Sequence, residues 1–195
     1  MNNSLFLLIN AAPDASIIAV EVARLLADGL IWIVPTGLIV GWLWCSSATR
    51  QVLIAATISG VAGLLVNQLI GLFWYHPRPF EAGIGQTLIT HIQDSSFPSD
   101  HLTLIWSIAF SLLLHKQTRF AGWALAMSGV AVAWARIYLG VHFPLDMAGS
   151  ALVALAAAAV MLACGHRCVP PLMCILMPVH RRLLAHFIAR GWVVR

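Results

Sequence analysis

The 195-residue chain is 61% hydrophobic, carries charge on only 9% of its residues and has a formal net charge of +4. Soluble domains carry about 25% charged residues, so this composition excludes an ordinary soluble enzyme and points to the membrane class. The basic residues are few and dispersed, which also argues against a nucleic-acid partner.

No Pro/Gly/Ser linker, low-complexity tract or internal repeat divides the chain, so residues 1–195 are expected to form one domain. The first basic residue is Arg24, which leaves no charged n-region for a cleaved signal peptide. Near the N-terminus, Glu21, Arg24 and Asp28 stand at i, i+3 and i+7. Two readings stay open there. One is an ion-pair ladder that neutralises itself; the other is a polar stripe at the outer interface or facing a site.

Apolar runs then follow in order. Gly29 to Cys45 predicts a span over about 22–45. Val52 to Tyr75 is a 24-residue run without a charge, long enough for a hydrocarbon core of roughly 30 Å. Leu102 to Leu114, Phe120 to Ala135 and Met147 to Cys164, extended by their flanks, predict spans over 99–115, 119–138 and 144–164. Backbone groups in lipid must be satisfied within their own segment, and the runs are too long for barrel strands. The expected fold class is therefore all-α, a polytopic integral membrane bundle with about five to six transmembrane helices. Gly37-x-x-x-Gly41, Gly60-x-x-Gly63 and Ala154 to Ala159 suit close helix packing.

The tail changes character. Cys168 to Val179 is apolar but short and holds Pro170, Pro171 and Pro178, so no span is predicted there. His180 to Arg195 places Leu183, Leu184, Phe187 and Ile188 on one stripe beside Arg181, Arg182 and Arg190. Residues 165–195 read as a basic amphipathic tail on an anionic inner leaflet, or as a solvated basic tail. Cys45, Cys164, Cys168 and Cys174 form no disulfide framework, and Cys164-Gly-His-Arg-Cys168 lacks a second ligand pair for a metal.

Eight of the eleven basic residues fall on one side of the five-span layout: Arg50, Lys116, Arg119, Arg167, Arg181, Arg182, Arg190 and Arg195. That side is expected to be cytoplasmic, with the C-terminus on it. All seven acids fall on the other side, together with Arg78 and Arg136.

Three polar segments end or begin the apolar runs on that second side: His76 to Phe80, Phe97 to His101 and Ala135 to Asp146. Arg78 and Arg136 present donor forks that match phosphate oxygens. His142 and Asp146 are four residues apart, so a helix starting near Phe143 lets the carboxylate fix the imidazole tautomer and leave its other nitrogen nucleophilic. Pro98, Ser99, Asp100 and His101 open a helix whose first-turn N–H groups, with the Ser99 hydroxyl, form an anion cradle. His101 would face the same pocket as a proton donor. The plainer reading of that segment is a Ser/Asp cap with an incidental histidine.

The three segments resemble the signature of the type-2 phosphatidic acid phosphatase superfamily, lipid phosphatases related to vanadium haloperoxidases. Its pattern is Lys-x6-Arg-Pro, Pro-Ser-Gly-His and Ser-Arg-x5-His-x3-Asp. This chain has Arg78-Pro79, Pro98-Ser99-Asp100-His101 and Arg136-x5-His142-x3-Asp146, all within residues 71–146. Gly71 stands in place of the lysine, Asp100 in place of glycine and Ala135 in place of serine. His76 or Gln68 are candidates to stand in for the missing cation. The short chain and its motifs are most similar to the bacitracin-resistance type of undecaprenyl-pyrophosphate phosphatase.

The resemblance implies a plasma-membrane hydrolase of a bacterium, acting on a polyprenyl pyrophosphate at the outer face and recycling the cell-wall lipid carrier. It implies His142 as nucleophile, Asp146 as its orienter and His101 as general acid. Arg78, Ser99, Asp100 and Arg136 would form the phosphate site. No metal or cofactor is expected, since cationic side chains supply the charge. The rival expectations are the same chemistry on phosphatidylglycerol phosphate, phosphatidic acid or diacylglycerol pyrophosphate, and an anionic-lipid-binding or transport protein without catalysis.

Overall fold

The structure, a computed structural model, describes residues 1–195. It is all-helical: α1 (Asn2–Ile9), α2 (Ile17–Arg24), α3 (Ile33–Trp44), α4 (Ser47–Phe73), α5 (Asp100–Leu113), α6 (Arg119–Tyr138), α7 (Pro144–Leu183) and α8 (Ala185–Ala189). A π turn over Leu25–Gly29 and a 3-10 turn over Leu30–Trp32 join α2 to α3.

α5 is the axis of the bundle. It packs on α4, α6 and α7, burying Leu102, Ile105, Ile108, Ala109 and Leu112. Val52, Leu53 and Ala56 of α4 and Leu125, Ala126, Val132 and Ala133 of α6 close this core. Small residues set the approach. A Cβ added at Gly63 would stand 2.7 Å from Ser107 Oγ of α5, and one at Gly122 would stand 2.8 Å from the Leu113 nitrogen. Gly41 lies equally close to Leu53, whereas Gly37 faces open space and plays no packing part.

Three helices, α4, α6 and α7, are long and apolar enough to cross a membrane. α5 is apolar but has only 14 residues, about 21 Å of helix. The span expected over 22–45 is assembled from α2, two irregular turns and α3. Leucines 65, 69 and 72 and Phe73 on α4 point outward, as lipid-facing residues do.

The C-terminal third departs from expectation. α7 does not stop near residue 164 but runs for 40 residues through Pro170, Pro171 and Pro178 to Leu183. A proline removes one helical hydrogen bond and is tolerated in a membrane helix when neighbours compensate. Here Met161, Val169 and Met173 pack on Ile54 of α4 and hold the helix past the prolines. The expected amphipathic helix over 180–195 shrinks to α8. Gly191, at φ +73°, turns the chain back, so that the Val194 N–H donates to the Leu43 carbonyl at 3.0 Å.

The antiparallel layout gathers the C-termini of α4 and α6 with the N-termini of α5 and α7 at one end. All three polar segments lie there.

Candidate active site

α7 begins at Pro144, whose fixed φ suits the first helical position. Asp146 then sits in the first turn, and its Oδ2 accepts the Phe143 N–H at 2.8 Å. The same oxygen is 3.2 Å from His142 Nδ1 and accepts the Ser96 hydroxyl. Both His142 and Asp146 are buried. With Nδ1–H donating to Asp146, the free lone pair of the neutral ring is on Nε2. Burial draws the His142 pKa down to about 4, against the raising effect of the Asp146 hydrogen bond. The imidazole is therefore an unprotonated base at neutral pH.

Gly140, at φ +81°, makes the turn that delivers His142. A Cβ there would strike the Gln86 carbonyl, so the turn is packed directly beneath the loop that follows α4. That loop is tied down on both flanks. The Leu88 N–H donates to the Leu139 carbonyl at 3.0 Å. Asn10 Nδ2 donates to the Gln86 and Tyr138 carbonyls at 2.9 and 3.0 Å.

Arg78 comes from this loop. Its NH1 donates to the Val141 carbonyl at 2.8 Å and lies 3.1 Å from His142 Nε2. Its Nε and NH2 both reach Asp94 Oδ1 at 2.8 Å. Arg136, at the end of α6, places NH2 2.7 Å from His101 Nε2 and 3.2 Å from Asp28 Oδ1. A guanidinium only donates, so each arginine caps the Nε2 lone pair of one histidine.

Ser99 is the N-cap of α5 but does not spend its side chain on the helix. Its buried Oγ has no protein partner, nor do Arg136 Nε and NH1 or Asp146 Oδ1. The Ser99 N–H is held instead by Ser150 Oγ of α7 at 2.9 Å, which locks the second segment to the third. Asp100 lines the cavity, but its carboxylate accepts from Asn67 at 2.8 Å and Gln68 at 3.1 Å. What it offers an anion is its backbone N–H in the first turn of α5.

One cavity of about 370 Å³ joins these groups. Arg78, Pro98, Asp100, His101, Arg136 and His142 line it, so all three sequence segments meet. Ser99 and Asp146 lie just behind the lining. Gly71 and Gln68 also border the cavity, whereas His76 does not. The His76 ring packs edge-on against Trp74 and Phe143, which removes it as a substitute cation.

Sequence reasoning missed His91, Asp94, Ser96 and Asn67. His91 borders the cavity with its ring centroid 6.4 Å from that of His142, and burial lowers its pKa. His91, Asp94 and Ser96 belong to the loop, where no helical or strand period flags a residue. Asn67 stands beside Gln68 as one of two amides inside an apolar run, a signal that was there to be read.

A helical membrane bundle with three imidazoles, two guanidiniums and a helix N-terminus around one cavity defines an anion-handling membrane protein. The chain belongs to the PAP2 superfamily, whose pattern matches residues 51–170. It is 39% identical to YbjG of Escherichia coli (strain K12), whose undecaprenyl-diphosphatase name is provisional, over 99% of this chain and 97% of that one. It is 36% identical to the undecaprenyl-diphosphatase BcrC of Bacillus subtilis (strain 168), over 75% of this chain and 72% of that one. The fold is shared with LpxE of Aquifex aeolicus, with a TM-score of 0.64 and 23% identity over 83% of this chain and 94% of that one.

Proposed function

We propose that this protein hydrolyses undecaprenyl pyrophosphate to undecaprenyl phosphate and inorganic phosphate. The observation that carries the reading is the pairing of each histidine with an arginine in one cavity, with Asp146 behind only one of them. Incoming phosphate oxygens draw Arg78 and Arg136 off the imidazoles and free both Nε2 atoms. His142 Nε2 then attacks the terminal phosphorus, and the bond to the bridging oxygen breaks. Freed from Arg136, the His101 Nε2 takes up a proton from solvent beside the anionic substrate and gives it to that oxygen, and the lipid monophosphate leaves. Water then attacks the phosphohistidine, with His101 as base, and returns His142 unmodified.

Arg136 Nε and NH1, the Ser99 hydroxyl and the first-turn N–H groups of α5 are the unspent donors for the equatorial oxygens, where charge gathers. Arg78 joins them once Asp94 yields its fork. The clamp is cationic side chains, so turnover in EDTA is expected to match turnover without it.

The site end faces outward in this reading, because eight of the eleven basic residues, Arg50, Lys116, Arg119, Arg167, Arg181, Arg182, Arg190 and Arg195, belong to the opposite side. Release of the monophosphate there recycles the carrier of cell-wall synthesis and confers bacitracin resistance.

Phosphate release by purified protein, undecaprenyl pyrophosphate against phosphatidic acid, tests the substrate. A preference for phosphatidic acid overturns the assignment. His142→Ala is expected to fold and insert yet release no phosphate. Single-turnover trapping of a phosphoenzyme separates catalysis from mere binding of the anion.

A further inference from the structure

Asp28 takes no part in the steps above, yet it is the carboxylate that touches Arg136. We propose that Asp28 is a positioning residue that fixes the Arg136 guanidinium for transition-state binding, an inference that rests on the phosphatase reading.

Arg136 is 2% exposed and is held by protein at NH2 alone, shared between His101 and Asp28. Nε and NH1 are buried without a partner. A long side chain held by a neutral imidazole alone would pivot about that contact. A second, charge-assisted bond at NH2 removes the pivot and aims the two free nitrogens. Asp28 does not line the cavity, so it grips Arg136 from behind without meeting a phosphate.

The local fold is shaped for this reach. In a regular helix Asp28 would share a face with Glu21 and Arg24. Glu21 and Arg24 do pair, at 2.7 Å, and Arg24 also donates to the Leu88 carbonyl. The π turn over Leu25–Gly29 takes up an extra residue and turns Asp28 off that ladder, by about 100° per residue. Ala23 and Ala27 are fully buried against Ala135 of α6 and Leu139 just beyond its end. Their single methyls bring the two backbones close enough for a short aspartate to span the gap. The Asp28 side chain is 60% exposed, so it keeps hydration while neutralising a buried cation.

The test measures turnover of undecaprenyl pyrophosphate in detergent. Asp28→Asn is expected to lower kcat about tenfold or more while KM stays within about threefold, because the loss falls on transition-state contacts. Asp28→Glu keeps the charge and is expected to return kcat to within about threefold of the native value. In an Arg136→Lys background, Asp28→Asn should cost less than about threefold, since its partner fork is gone. A native kcat in Asp28→Asn, or an equal loss in both backgrounds, overturns the proposal.

If the native protein releases no phosphate from any lipid, the phosphatase reading falls by itself. The native protein, Asp28→Asn, Arg136→Lys and their double variant then decide the positioning claim through inorganic phosphate affinity, read by thermal shift. Non-additive effects of the two substitutions support the Asp28–Arg136 coupling, and additive effects overturn it.

Discussion

Each end of the bundle buries arginine beside histidine, and the two ends behave differently. At the site end, Arg136 lines the cavity and keeps two donors without partners, and Ser99, just behind the lining, keeps an unused hydroxyl. At the far end, Arg50 is fully buried, but each of its three guanidinium nitrogens has a partner. Nε donates to the Trp42 carbonyl at 2.8 Å, NH2 to the Val194 carbonyl at 2.6 Å, and NH1 meets Met177 Sδ at 3.7 Å. His180 adds a contact to the same Val194 carbonyl at 3.0 Å and accepts from Trp42 Nε1 at 3.1 Å. Burial of a cation thus does not mark a site. Unspent hydrogen-bonding capacity that faces a cavity does.

Substituting one arginine from each end is the sharpest way to break this contrast. Arg136→Ala is expected to cut kcat/KM by about a hundredfold to a thousandfold, the scale of a lost oxyanion donor, with a small change in thermal stability. Arg50→Ala is expected to do the reverse. It strands the Trp42 carbonyl and leaves the Val194 carbonyl to His180 alone, loosening the tail at a cost of about 2–4 kcal/mol, while kcat of the folded fraction stays within about threefold. Denaturation in detergent beside phosphate release reads both quantities. A large kcat loss in Arg50→Ala would mean that the two ends are coupled.

A pH series sharpens the same contrast at His142. Its folded pKa is about 4 against an ordinary 6.5, so the ring stays a free base well below neutrality. The acid limb set by the nucleophile is expected near pH 4, not near 6.5. For stability the sign is fixed by proton counting. Between about 6.5 and 4 the unfolded chain binds the extra proton, so stability falls as pH drops through that window and then levels. His142→Gln should remove this part of the acid destabilisation. An unchanged curve would show that His142 is not buried as a neutral ring.

Much of the site was legible because its residues lie at fixed spacings around helix ends. His142 and Asp146 are bound by one turn and one helix start, so their spacing pointed to the contact between them, and Arg136 lines the same cavity. The N-terminal Asp28 was visible but ambiguous, because a π turn leaves no mark in the residue pattern. The loop residues His91, Asp94 and Ser96 were not legible, since tertiary ties from Asn10 and Leu139 place them. α7 was misread for a related reason. Prolines weaken a helix locally, but packing of Met161, Val169 and Met173 on α4 outweighs that penalty.

Ser99 offers a smaller test of unspent capacity. A serine that caps a helix costs about 1 kcal/mol when replaced by alanine. Ser99 Oγ caps nothing, so Ser99→Ala is expected to leave the unfolding midpoint unchanged and lower kcat about tenfold. Loss of stability with full activity would return the residue to the plain capping role.

Gly71 carries the smallest expected effect and the most specific question. It lies inside α4 and borders the cavity, where the family pattern has a lysine. A Cβ there would meet only Ser95, at 3.5 Å, an ordinary contact. Glycine inside a helix is worth roughly 0.5–1 kcal/mol less than alanine, so Gly71→Ala is expected to stabilise by up to that amount. If the cavity beside Gly71 is spare room, activity stays within about twofold of the native value, as for a substitution away from bound groups. If instead the glycine is there so that the pyrophosphate can approach the backbone of α4, the added methyl raises KM while stability still rises. That second outcome would explain how a site without the lysine holds its substrate, by closeness to the helix in place of charge.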